Sequence, residues 1–149
     1  MKQEKSAGAV IYYIADEPLF LLLQNTLKTT YWEFPKGKIE ENEEVEETVK
    51  REVKEETELK NLEIIQGFRH TLKWFFKFKG ELISKEAIYL LIRIQKEDKD
   101  KVGINHEHEK FEWMSYETAI QKIQIKSNRN LLEKAYKFIL EHEKQKRLI

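Results

Sequence analysis

Cysteine is absent from the 149 residues, so no disulfide framework holds the chain, and the lack fits a reducing compartment. Charge of one sign is not in excess either. Lys plus Arg and Asp plus Glu stand at 27 each, which removes any global pull toward nucleic acid or acidic membranes and leaves such attraction to local patches. No run approaches the roughly 20 apolar residues of a membrane span, and Met1 to Lys5 lack the basic-then-apolar order of a signal peptide. Internal repeats and linkers are also missing. What remains is one domain over residues 1–149, large enough to bury a core without disulfides or a structural metal. It is expected to be soluble and cytoplasmic, with no membrane partner and either monomeric or dimeric.

The stretch from Gly37 to Leu59, GKIEENEEVEETVKREVKEETEL, is the most unusual part of what is there. Pro35 and Gly37 mark a turn, Glu40 to Glu43 make a polar loop, and no Gly or Pro interrupts from Glu44 until the chain turns near Asn61. The spacing predicts a helix of about four turns. Val45, Val49 and Val53, each four apart, form a row that drifts by about 40° per step and should face a core. On the same wheel Glu52 and Glu56 fall within about 20° of Val45, and Glu55 about 80° to one side. Two readings follow. One is a solvated helix with i,i+4 pairs such as Glu46 with Lys50 and Glu47 with Arg51. The other is a divalent cation site, because clustered carboxylates raise one another's pKa unless a hard cation neutralises them.

The same residues resemble the Nudix box, G-x5-E-x7-R-E-U-x-E-E-x-G-U, where U is a bulky aliphatic. Gly37, Glu43, Arg51, Glu52, Val53, Glu55, Glu56 and Leu59 fall in register, and Glu58 stands where the last Gly is usual. In the family that Gly closes the helix, where a side chain costs on the order of 1 kcal/mol. Glu58 therefore reads as a change in how the helix ends and not as a lost catalytic group.

Elsewhere the pattern is of strands followed by helices. Ala7 to Ile14 and Leu19 to Gln24 read as a hairpin across Asp16 to Pro18, with Gly8 allowing a backbone or ligand to approach closely. Tyr31 to Gly37 delivers the chain to the acidic helix, and Lys36 and Lys38 flank Gly37 where they can meet phosphate oxygens. Leu62 to Gly67 reads as a strand that leads into Phe68 to Lys79. There Trp74, Phe76 and Phe78 alternate with Lys73, Lys77 and Lys79, the pattern of a lysine-protected edge strand or of a basic, aromatic surface for a polyphosphate carrying a base. Ala87 to Gln95 is a central strand, Asn105 to Glu109 a polar loop and Lys110 to Met114 a strand. Tyr116 to Ile123 and Asn128 to about Lys144 are helices, the second capped by Ser127 or Asn128. His106 and His108 lack the further ligands of a zinc site.

The Nudix resemblance implies an α/β fold, an α/β/α sandwich with a mixed β-sheet and the box as a loop-helix-loop. It implies hydrolysis of a nucleoside diphosphate linked to another group, with Mg²⁺, or Mn²⁺ as substitute, held by Glu52, Glu55, Glu56 and the carbonyl of Gly37. Glu43 and Arg51 then match the ion pair that ties loop to helix. A narrower resemblance, over Ala7 to about Ile123, is carried by FPKGKIE, IIQGFRHTL, KEAIYLL and NHEHEKFEWMS. These are similar to asymmetrically cleaving diadenosine tetraphosphate hydrolases. That likeness implies that Lys85 and Tyr89 contact phosphate and stack on a base, and that Glu107 assists the metal site. Tyr89 as a plain core aromatic stays open, as does the choice of Glu52 or Glu107 as general base. The expected substrate is a dinucleoside polyphosphate, with diadenosine tetraphosphate giving ATP and AMP. The alternatives are an RNA 5′-pyrophosphohydrolase or NTP pyrophosphatase, with an RNA 5′ end as partner, and a non-catalytic nucleotide sensor.

Overall fold

The computed structural model describes residues 2–24, 30–103 and 110–147. Among them, in chain order, lie β1 (Lys2–Ile14), β2 (Pro18–Gln24), β3 (Trp32–Glu33), β4 (Lys36–Lys38), α1 (Val45–Thr57), β5 (Glu63–Ile64), β6 (His70–Phe78), β7 (Glu81–Arg93), a 3₁₀ turn at Lys96–Lys101, β8 (Lys110–Ser115), α2 (Tyr116–Lys122) and α3 (Lys126–Arg147). The strands form one mixed sheet. β1 and β7 run parallel at its centre, from Lys2 opposite Ile83 to Tyr12 opposite Arg93. β2 folds back antiparallel on the end of β1 and carries β3 and β8, β4 pairs with β1 at Ser6 to Gly8, and β5 and β6 pair with β7.

The central strands read as unbroken apolar runs because both sheet faces are covered. On one face Ala7, Ala9, Ile11, Leu90 and Ile92 bury Val49 and Val53 of α1. On the other, Val10, Tyr12, Phe20, Tyr89 and Leu91 meet Leu131, Leu132, Ala135 and Ile139 of α3. Helix, sheet and helices thus form the three expected layers. None of the described helices is long and apolar enough to cross a membrane.

Several boundaries differ from the sequence reading, each because of a non-local partner. β1 starts at Lys2 and not at Ala7, since the polar Lys2 to Ser6 segment is paired along β7. β7 starts at Glu81, not Ala87, because its first half forms a hairpin with β6. Of the strand expected over Leu62 to Gly67 only Glu63–Ile64 pairs with β7. α3 begins two residues before Asn128, whose backbone N–H donates to the Ile125 carbonyl at 3.1 Å, so Asn128 lies inside the helix and does not cap it.

Gly8 does permit a close approach. The Ala9 N–H donates to the Pro35 carbonyl at 3.0 Å, and a Cβ on Gly8 would lie 2.7 Å from Lys36 Cβ and overlap the Pro35 carbonyl. This contact seats β4 and, with it, Lys36 and Gly37. Gly8→Ala is expected to cost about 1–3 kcal/mol through overpacking. Chemical denaturation measures the loss.

Candidate active site

The acidic segment is organised around one carboxylate. Glu43, in the loop before α1, accepts from the Glu40 N–H at 2.9 Å, from the Thr48 hydroxyl at 2.8 Å, and from Arg51 Nε at 2.7 Å and Nη2 at 3.0 Å. Arg51 Nη2 also donates to the Lys38 carbonyl at 2.9 Å. A planar guanidinium meeting two carboxylate oxygens is the geometry that makes such pairs strong and directional. The Arg51 hydrogen bonds hold Glu43 down from 4.5 to about 2. The expected Glu47–Arg51 helical pair does not form. Arg51 reaches back to the loop instead, and Glu47 accepts from the Glu44 N–H at 3.1 Å, as N-terminal acidic residues of helices do.

The other edge of the guanidinium faces the remaining carboxylates. Arg51 Nη1 donates to Glu52 at 2.7 Å and to Glu55 at 3.3 Å. Burial pushes the Glu52 carboxyl up, and the Arg51 hydrogen bond opposes it. Glu52 lies directly against Gly37, where a Cβ would overlap its carboxylate. Glu56, one turn on, is 6% exposed, with Oε2 closed to solvent. The donor set that faces this corner is therefore all oxygen, three carboxylates and the Gly37 backbone, which suits a hard divalent cation. Among the described residues no three acidic or imidazole groups converge on one point as a finished cage. Arg51 holds Glu52 and Glu55 where an ion would compete for them.

Beside this corner opens a cleft of about 380 Å³ lined by Glu33, Phe34, Lys36, Leu72, Trp74, Tyr89 and Asn128, among others. Its volume is within the range of small-ligand sites. Lys36, whose neighbour Gly37 lies at the carboxylate corner, lines the cleft. Burial lowers its pKa, Lys85 adds to that, and Glu33 and Glu56 oppose it. It also rides 5.2 Å above the Trp74 ring. Tyr89 is 3% exposed and sits edge-on to Phe34, with centroids 6.4 Å apart. Burial pushes its hydroxyl up, helped by Glu33 and Glu56, so the phenol stays neutral.

The fold thus gathers Gly37, Glu43, Arg51, Glu52, Glu55 and Glu56 along one side of α1 and its preceding loop, and Lys36 and Tyr89 at the cleft. Lys85 lies opposite Trp74 on β7, ion-paired with Glu4 at 3.6 Å. Lys38 is exposed and contributes its carbonyl to Arg51. Glu107, with His106 and His108, lies outside the described residues. Nothing in the sequence marks Glu33, Phe34 and Leu72 as cleft residues, and Asn128 stands at the cleft and not at a cap. Glu33 and Phe34 do immediately precede the Pro35–Gly37 turn, which is the one sign the sequence carries.

A carboxylate helix locked to its loop and docked on a mixed sheet between helices, with a small-ligand cleft beside it, defines a class before it defines a substrate. The chain belongs to the NUDIX domain family, whose model matches residues 2–135. Its relatives include a mouse protein, bis(5′-nucleosyl)-tetraphosphatase (asymmetrical), 34% identical over 122 residues, 80% of this chain and 80% of that protein. A Caenorhabditis elegans protein of the same name is 33% identical over 138 residues, 91% of this chain and 96% of that one. The crystal structure of a C. elegans Ap4A hydrolase binary complex matches with a TM-score of 0.80 at 32% identity, covering 93% of this chain and 98% of that one.

The depressed Glu43 carboxyl has a signature in acid. A group whose folded pKa falls from 4.5 to about 2 contributes stability that is complete above about 4.5 and is lost as pH drops through 2. Melting temperatures of the native chain and of Glu43→Gln, measured by circular dichroism across this window, should differ by a constant amount at higher pH. The gap should close toward pH 2.

Proposed function

We propose that this Nudix hydrolase cleaves a dinucleoside polyphosphate asymmetrically, converting diadenosine tetraphosphate to ATP and AMP with Mg²⁺, or Mn²⁺ in its place. The observation that carries the reading is the position of Lys36, which lines the cleft with its ammonium 5.2 Å above the Trp74 ring while its neighbour Gly37 lies against Glu52 of the carboxylate corner. A cation there joins a phosphate-processing corner to a base-sized pocket. The likeness to two proteins named as asymmetrical tetraphosphatases, over 80% and 91% of this chain, supports the same substrate.

In this reading Glu52, Glu55, Glu56 and the Gly37 carbonyl would hold the divalent ion, whose charge would offset that of the phosphate oxygens. Glu52 is the leading general base. Its carboxyl is already raised by burial, the direction that makes a carboxylate a better proton acceptor near neutral pH. Glu107 is the second candidate for that role. Arg51 keeps Glu52 oriented while Glu43 neutralises its other edge. Lys36, Lys85 and Lys38 provide positive charge along the path of the phosphate chain. Trp74, 37% exposed, offers a ring face to a base, while Tyr89 forms the floor with its hydroxyl available to donate.

Incubation with Mg²⁺ and, in parallel, diadenosine tetraphosphate, GTP, ADP-ribose and 5′-triphosphorylated RNA tests the assignment. ATP plus AMP should form faster than product from the other three. Two ADP, or no product, would defeat it. Glu52→Gln should lower turnover by roughly 10²–10⁴-fold if Glu52 is the base. Glu56→Gln should raise the Mg²⁺ concentration needed for half-maximal rate.

A further inference from the structure

The β6–β7 hairpin projects past the cleft with more apolar surface than a solvated edge needs. Phe78 is 57% and Trp74 37% exposed on one face, and Phe75 62% and Leu82 42% on the other. The register places Trp74, Phe76 and Phe78 on one face, opposite Lys85, Ile83 and Glu81. This is the face that carries Leu72 and Tyr89 and therefore the face on which the cleft opens. Each of the three rings bears an ammonium: Lys36 over Trp74 at 5.2 Å, Lys85 over Phe76 at 5.2 Å and Lys79 over Phe78 at 5.4 Å. Alternate residues of a strand lie about 6.6 Å apart, so three cation-bearing rings step outward from the cleft at a near-constant interval. Lysine stems laid across rings normally hide them. Here the rings at both ends of the row remain open to solvent.

The hairpin tip adds a second, independent sign. Lys79 and Gly80 both have positive φ, 51° and 78°, across a two-residue connection from Phe78 to Glu81. That is the type I′ pattern, in which Asn or Gly normally fills the first position. A lysine there is poorly suited to the backbone, and its ammonium returns to the Phe78 ring.

We propose that this face of the β6–β7 hairpin binds single-stranded nucleic acid, its phosphates following Lys36, Lys85 and Lys79 and its bases stacking on Trp74 and Phe78, with the strand's 5′ end directed into the cleft. The direction of the strand rests on the nucleotide-hydrolase reading above; the binding does not. Regularly spaced cations match a chain with one phosphate per residue better than a single small polyphosphate, whose charges lie close together. Exposed ring faces accept any unpaired base, which favours a single strand over a duplex. Glu4, which pairs with Lys85, and Glu81 at the tip temper the charge, so the expected binding is modest and salt-sensitive.

The test uses a fluorescent single-stranded RNA of about a dozen nucleotides with a 5′-hydroxyl, which offers no polyphosphate to cleave. Anisotropy should report binding whose logarithm falls with the logarithm of salt at a slope of roughly −2, for about three phosphates at 0.7 each. Lys79→Asn and Phe78→Ala together should weaken it roughly tenfold, while turnover of diadenosine tetraphosphate stays unchanged. Lys79→Asn alone suits the turn better and should melt no lower than the native chain, so lost binding cannot be lost folding. Salt-insensitive or absent RNA binding overturns the proposal, and so does equal binding by native chain and double variant. A double variant that loses dinucleotide turnover in parallel with RNA binding overturns it too, because the hairpin then belongs to the small substrate. Failure of the native chain to cleave diadenosine tetraphosphate would count against the preceding section only.

Discussion

A single guanidinium stands between the two halves of the acidic segment, and the arrangement of the site depends on it. Arg51 gives one edge to Glu43 and the other to Glu52 and Glu55, and touches the Lys38 carbonyl besides. Without that charge the carboxylates at 40, 43, 52 and 55 would repel one another across the mouth of the loop. With it, the loop is pinned to the second turn of α1 and Glu52 is pressed on Gly37. The pair is asymmetric in use. Glu43 is saturated by four donors and stays ionised, so it serves as an anchor; Glu52 keeps one oxygen's worth of freedom and sits where desolvation raises its pKa. Two carboxylates on one arginine therefore acquire different chemistry from their surroundings, the separation on which acid–base assignments rest.

Close contact between layers is what brings this lock to the cleft. α1 packs on one sheet face and the cleft opens on the other, so a short element must present side chains to both at the sheet edge. β4 does this. It is only three residues long, held to β1 opposite Ser6, Ala7 and Gly8, and its alternation sends Gly37 toward α1 and Lys36 toward the cleft. Any side chain at Gly8 or Gly37 would wedge the strand away from one layer or the other.

How much of this is legible in the sequence depends on the kind of signal. The acidic helix was readable because its identities sit at fixed spacing, and Val49 and Val53 face the core as their periodicity requires. The ion pair of Glu43 with Arg51 was expected through family likeness, whereas helical spacing alone pointed to Glu47. The eight-residue reach won because it satisfies both carboxylate oxygens and the loop backbone at once. Strand starts differ from the sequence pattern wherever polar segments, Lys2 to Ser6 and Glu81 to Glu86, are held by pairing and not by burial. The cleft was the least visible part. Phe34 and Leu72 look like ordinary core residues, and Asn128 like a cap, until three separate elements bring them to one wall.

Glu58 shows how a departure from a pattern can leave the geometry intact. Its φ is 64° and its N–H donates to the Lys54 carbonyl at 2.9 Å, so α1 ends in the left-handed turn that a glycine would make. The sequence suggested a different ending; only the residue differs. A side chain in that conformation costs on the order of 1 kcal/mol, and the neighbourhood offsets it. Leu59 is 2% exposed beneath the turn, and its N–H donates to the Thr57 hydroxyl at 3.2 Å. The Gly103 N–H donates to the Thr57 carbonyl at 2.9 Å, while the Glu58 carboxylate lies against Gly103, which has no side chain to displace it. The helix end is thus fixed by the residues on either side of Glu58 and by a chain segment 45 positions away. Since Glu55 and Glu56 belong to this last turn, their direction is set by the same contacts, and the missing box glycine leaves the carboxylate corner where the rest of α1 puts it.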